Sequence, residues 1–99
     1  MADSTRAPDI REVDLSGYAG RLGDRIRVQA TDDFRVRAVR VRIENGDGTL
    51  VEEGAAVQQP NALDWVYTTT QANADLSSDK ITVRATDRPG NFDEEVNTL

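Results

Sequence analysis

The side chains best suited to chemistry are oxygen donors: Asp32 and Asp33 in one segment, and Asp87, Asn91 and Asp93 in another. A Ca2+ ion takes six to eight oxygen ligands, often from separate loops, so these five are the candidate metal ligands. No cofactor is expected, Ca2+ being the one ion these residues could hold. Each also has an ordinary use. An Asp that follows a strand bonds the backbone of its own turn, and Pro89-Gly90-Asn91 is common turn chemistry. Asn45-Gly46-Asp47-Gly48 is too short to be a twelve-residue calcium loop.

Other chemistries are poorly provided for. Histidine and cysteine are both absent, which removes the commonest general base, thiolate metal sites and disulfides. Glu52-Glu53 and Glu94-Glu95 are paired carboxylates, but neighbours on a strand point to opposite faces and cannot converge on one substrate. Ser16, Ser77 and Ser78 have no histidine to activate them, and Gly46 and Gly48 precede no helix and make no phosphate loop. The expectation is a chain that is not an enzyme.

Arg40, Arg42 and Arg84 fall on outward positions of one layer and Arg25 and Arg27 on those of another. Such a stripe could hold a sulfated or uronic-acid glycan or an acidic partner. The expectation is the plainer use, pairing with Glu44, Asp93 and Glu95 across neighbouring strands. Among the aromatics, Trp65 shares a face with Leu63 and Tyr67, which predicts burial. Tyr18, among Gly17, Gly20 and Gly23, is the candidate for exposure. The net charge of −6 disfavours a phosphate backbone as ligand, so no nucleic-acid partner is expected.

The elements that must position these residues are strands. In Arg25–Ala30, Val39–Glu44 and Ile81–Thr86 apolar and polar residues alternate, giving each segment one dry and one wet side. Ile10–Leu15, Thr49–Glu53, Leu63–Thr68 and Phe92–Leu99 are weaker strands, with turns at Asn45–Gly48 and Asp87–Asn91. Seven strands at intervals of roughly ten residues predict an all-β sandwich. Val36 and Ala38 are out of phase with Val39, which calls for a bulge or a later start. Glu94 is in phase with Phe92 and Val96, which calls for a bulge or an exposed edge. One helical turn is expected near Ala72–Ser78. At 99 residues the chain holds one domain. Residues 1–8 read as a flexible lead-in or linker and 9–99 as the domain. No run approaches the roughly 20 apolar residues of a membrane helix, so no membrane insertion is expected. No signal peptide is visible in Met1–Ile10, which favours a segment cut from a longer exported chain.

Val83-Arg84-Ala85-Thr86-Asp87-Arg88-Pro89-Gly90-Asn91 resembles the V-x-A-x-D-x-x-G-N ending of bacterial immunoglobulin-like domains. Ile26-x-Val28-x-Ala30-x-Asp32, Val39-x-Val41-x-Ile43, Asn45–Gly48 and Trp65-x-Tyr67 follow the same family in the same order, over residues 8–99. The chain lacks the disulfide and the strand-C tryptophan of antibody-type domains, and the corner tyrosine of fibronectin type III domains.

The resemblance implies an immunoglobulin-like Greek-key β-sandwich of about seven antiparallel strands. It also implies a non-catalytic module of a larger secreted or cell-surface bacterial protein, with the periplasm as another location. The module would act as a spacer or a structural and adhesive domain, monomeric in isolation, with neighbouring domains of the same polypeptide as partners. The implied topology brings the loops after Ala30 and after Thr86 to one pole, where Asp32, Asp33, Asp87, Asn91 and Asp93 would meet a Ca2+ ion. In the alternative, the domain binds a protein or glycan at that pole through Phe34, Pro60, Asn61, Arg88 and Asn91.

Overall fold

The computed structural model describes residues 8–31, 36–61, 63–73, 77–87 and 91–99. These contain eight strands: β1 (Asp9–Asp14), β2 (Arg25–Thr31), β3 (Val36–Glu44), β4 (Leu50–Ala55), β5 (Val57–Gln58), β6 (Asp64–Thr68), β7 (Lys80–Asp87) and β8 (Phe92–Thr98). Two antiparallel sheets result, ordered β1-β2-β6-β5 and β4-β3-β7-β8. The fold is an all-β sandwich. The strand beyond the expected seven is β5, two residues long, which pairs with Val66 and Trp65 at the edge of the first sheet. So short a strand carries too little alternation to be seen in sequence. The described residues contain no helix, and part of the turn expected at 72–78 lies outside them.

Alternation builds the core. Ile26, Val28, Ala30, Trp65 and Tyr67 of the first sheet pack with Val39, Val41, Ile43, Ile81, Val83 and Ala85 of the second. Most of these side chains are fully buried. At about 1.5–3 kcal/mol for each large apolar side chain, this contact is the main stabilising term of the domain. Leu63 departs from the expected face and is 44% exposed; it precedes β6, and only its carbonyl reaches β2, accepting the Ala30 N–H at 3.1 Å. Tyr18 departs in the other direction and is buried.

Register irregularities decide what the edges present. A shift between Val36 and Ala38 lets both Val36 and Val39 face inward. In β8, Phe92, Glu94 and Val96 all lie exposed on an edge strand whose pairing with β7 is unbroken. In the β3–β4 hairpin Gly48 takes φ 91°, and its N–H donates to the Asn45 carbonyl at 2.9 Å. Val51 is the extra residue there, so Glu52 stands opposite Ile43 and faces the core.

Strand directions define two ends. Thr31, Val36, Asp64 and Asp87 lie at the end where β1 begins, here the leading end. The loop segments 15–24, 45–49, 69–73 and 77–79 lie at the trailing end, where β8 stops. Pro8, placed with the lead-in by sequence, is buried.

Candidate functional site

Of the residues expected at the leading end, Asp32, Asp33, Phe34 and Arg88 lie outside the described residues. Asp87 and Asn91 are brought together. The Asn91 N–H donates to Asp87 Oδ1 at 2.8 Å, its side-chain amide reaches Oδ2 at 3.5 Å, and the Asp87 N–H donates to the Asn91 carbonyl at 2.9 Å. Asp87, fully buried, thus braces the β7–β8 turn in the manner of turn aspartates generally.

Asp93 is turned elsewhere. It sits in register with Ala85 on the core side of β8, and its Oδ2 accepts the Ile10 N–H at 3.0 Å. An extra residue at Arg11 shifts the β1–β2 register beside that bond, so the carboxylate ties β1 to the edge of the opposite sheet. Among the described residues no group of three or more acidic side chains is gathered as a cation would need.

Asn61 is a turn residue as well. Its Oδ1 accepts the N–H groups of Leu63 and Asp64 at 3.0 Å each, and its amide donates to Asp64 Oδ2 at 2.9 Å. That amide, with Arg27 behind it, holds the Asp64 carboxyl below the usual carboxylate range. Pro60 beside it is exposed. Arg27 itself lies among Glu12, Asp14 and Asp64 at 3.4, 3.4 and 3.3 Å, clasping β1 and β6 to the central β2. Glu12 first, then its other two partners, raise the guanidinium pKa further.

The trailing end holds polar groups that sequence reasoning missed. Glu52 is a buried carboxylate that accepts four donors: Tyr67 O–H at 2.6 Å, Thr70 N–H at 2.9 Å, Thr70 O–H at 3.1 Å and Gln71 N–H at 3.2 Å. Burial first, then the facing carboxylate, push the Tyr67 phenol up to about 12. Asn73 donates its amide to both Asp79 and the Tyr18 oxygen, joining a buried aspartate to a buried phenol. Burial raises the Tyr18 pKa.

Asp24 joins the two long loops of this end. Its carboxylate accepts the Ala19 and Arg21 N–H groups at 2.8 and 2.9 Å, while its backbone pairs with Thr69. Those two donors draw the Asp24 carboxyl below its ordinary range. Which of Glu52 and Glu53 faces the core followed from the bulge at Val51, since residues directly opposite on an antiparallel pair share a face. The signal for Tyr18 was absent, because its partner Asn73 is distant in sequence.

The outer face of the second sheet carries the expected arginines. Arg84 pairs with Glu94 at 2.9 Å, and its guanidinium lies 4.3 Å from the centre of the Phe92 ring. Arg42 pairs with Glu44 on its own strand at 3.4 Å. The expected partners Asp93 and Glu95 stand opposite Ala85 and Val83 and so belong to the other side of β8. An open groove of about 380 Å3 crosses this face between the arginines and Val96.

A known structure shares this fold. The chain is similar to part of an engineered protein solved by crystallography, with a TM-score of 0.64 and 21% identity over 92% of this chain. It spans 19% of that protein's length. A lipoprotein from Bacteroides thetaiotaomicron, solved in solution, aligns over 100% of this chain and 87% of its own at TM-score 0.43 and 17% identity. No protein-family model matches the chain, and no curated protein matches its sequence. The likeness to the engineered protein concerns fold alone.

Proposed function

We propose that the chain is a non-catalytic immunoglobulin-like module of a larger secreted or cell-surface bacterial protein, which sets the distance and orientation of its neighbours. The observation that carries this reading is the passage of the chain from one end to the other. β1 begins at the leading end and β8 stops at the trailing end of a body measuring 46 × 29 × 17 Å. A domain crossed in this way acts as a bead in an extended array. Strand order supports the immunoglobulin-like assignment: β1-β2-β6-β5 facing β4-β3-β7-β8 corresponds to A-B-E-D facing C′-C-F-G. The sequence resemblance around Asp87–Asn91 supports it independently.

The polar interior supports rigidity over reactivity. Asp24, Glu52, Asp87 and Asp93 each accept backbone N–H groups that link loops or sheets. Such bonds hold the two ends at a fixed separation. Because the chain has no cysteine, spin labels placed by Asp9→Cys and Leu99→Cys are unambiguous. Dipolar spectroscopy is expected to give one narrow distance distribution centred at about 25–30 Å, the length of the strands between them. A broad distribution, or one centred at half that distance, overturns the spacer reading.

A further inference from the structure

The outer face of the second sheet has an electrostatic feature that a spacer does not need. Arg40 and Arg84 stand directly opposite one another across the β3–β7 pair, and on its other flank Arg40 faces Ala55. Like charges directly opposite destabilise a sheet. Arg84 is held in place, since Glu94 accepts from its Nε at 3.1 Å and from a terminal nitrogen at 2.9 Å above the Phe92 ring. Arg42 is tied to Glu44. Arg40 makes no ion pair among the described residues, so a guanidinium fork is left free beside a second one already fixed.

We infer that this groove binds a uronic-acid residue of an acidic oligosaccharide, with Arg40 receiving its carboxylate. A planar guanidinium matches a carboxylate in a way that a point charge does not. The bound carboxylate also relieves the repulsion between Arg40 and Arg84. The volume of about 380 Å3 suits a small ligand and not a folded partner. Around the arginines, Thr82, Glu53 and Glu94 offer acceptors for sugar hydroxyls. Val96, 54% exposed, lines the groove and offers apolar surface to the C–H face of a sugar ring.

The same surroundings select against other anions. Glu44, Glu53 and Glu94 repel a densely sulfated chain more strongly than a uronate chain, which carries one charge per ring. An acidic peptide lacks the hydroxyl-bearing ring that the carboxylates and Val96 of this groove would meet. The proposal is independent of the spacer reading, because a spacer with a sugar-binding face remains a spacer.

The test is an NMR titration of the isotopically labelled chain with trigalacturonate, run beside galactotriose and a polyglutamate peptide at low salt. Saturable shifts are expected at the amides of Arg40, Thr82, Arg84 and Val96 with trigalacturonate, and no saturation with the neutral sugar. Arg40→Gln is expected to weaken binding about tenfold or more, the loss of one charge-assisted pair. Arg25→Gln, on the other sheet, leaves affinity unchanged. Arg40→Lys keeps the charge without the fork, falls between the two, and serves should Arg40→Gln perturb the fold. The inference is overturned by absence of saturation at about 10 mM trigalacturonate. Equal affinity for galactotriose, tighter binding of polyglutamate, or indifference to both Arg40 variants overturns it as well.

Discussion

Tyr67→Phe removes one oxygen from the trailing end and leaves the packing of the ring in place. The lost group is the shortest of the four donors to Glu52, at 2.6 Å, and both partners are buried. A buried hydrogen bond to a charged group is worth about 1.5–3 kcal/mol, so a loss of about 2 kcal/mol is expected near neutral pH. In a domain of this size that lowers the Tm by about 10 °C. The same group leaves a signature in alkali. Its phenol is raised from 10.0 to about 12 in the folded chain, so folding favours the protonated form. The resulting stability is complete below the unfolded value and is lost as the pH rises through the folded one. Two pKa units correspond to about 3 kcal/mol withdrawn across that window. The phenylalanine variant lacks this contribution, while Tyr18, its phenol also raised by burial, is present in both proteins. Urea melts followed by the fluorescence of Trp65, the lone tryptophan, measure the difference. The gap between the two proteins is expected to close as the pH approaches 12. A gap under about 0.5 kcal/mol at neutral pH, or one that stays constant into alkali, refutes the assignment of Tyr67 as a principal support of Glu52.

Three further outcomes are expected. Gly54→Ala puts a Cβ 2.9 Å from Tyr67 Cε1, inside contact distance of a buried ring, and is expected to cost about 1–3 kcal/mol in a denaturant melt. An unchanged midpoint would mean that the ring moves aside freely. Asp24 has a carboxyl pKa depressed by the Ala19 and Arg21 N–H groups. Its stabilisation is present above the unfolded value of 3.8 and lost as the pH falls through the lower folded value. Amide exchange at Ala19 and Arg21 should therefore accelerate in Asp24→Asn at neutral pH, whereas equal protection in both proteins argues against the cap. Asp93→Ala removes the acceptor for the Ile10 N–H and should cost about 1 kcal/mol, with fast exchange at Ile10 and little change in β7. Slow exchange at Ile10 in that variant would show that β1 is held by other means.

Much of the architecture was legible in the residues themselves. Alternation in Arg25–Ala30, Val39–Glu44 and Ile81–Thr86 placed Ile26, Val28, Val41, Ile43 and Val83 in the core, where each is fully buried. A strand's facing follows from its own pleat, and local order suffices to read it. The break in phase at Val36–Ala38 marked a real register shift, and the mixed face of Phe92, Glu94 and Val96 marked a real edge. The turn at Asp87–Asn91 was legible too, because a turn is closed by residues near one another in the chain.

Tertiary structure alone decided which distant groups meet. Glu52 faces inward because Val51 is the bulged residue of the hairpin, a choice that two adjacent glutamates do not announce. Tyr18 is buried because Asn73, remote in sequence, covers it with an amide that also serves Asp79. Arg84 meets Glu94 and not Asp93 or Glu95 because the β7–β8 register puts the pair on one face. Side-chain direction is a property of one strand, whereas partners are a property of two, and register between strands is settled by the packing of the whole sandwich.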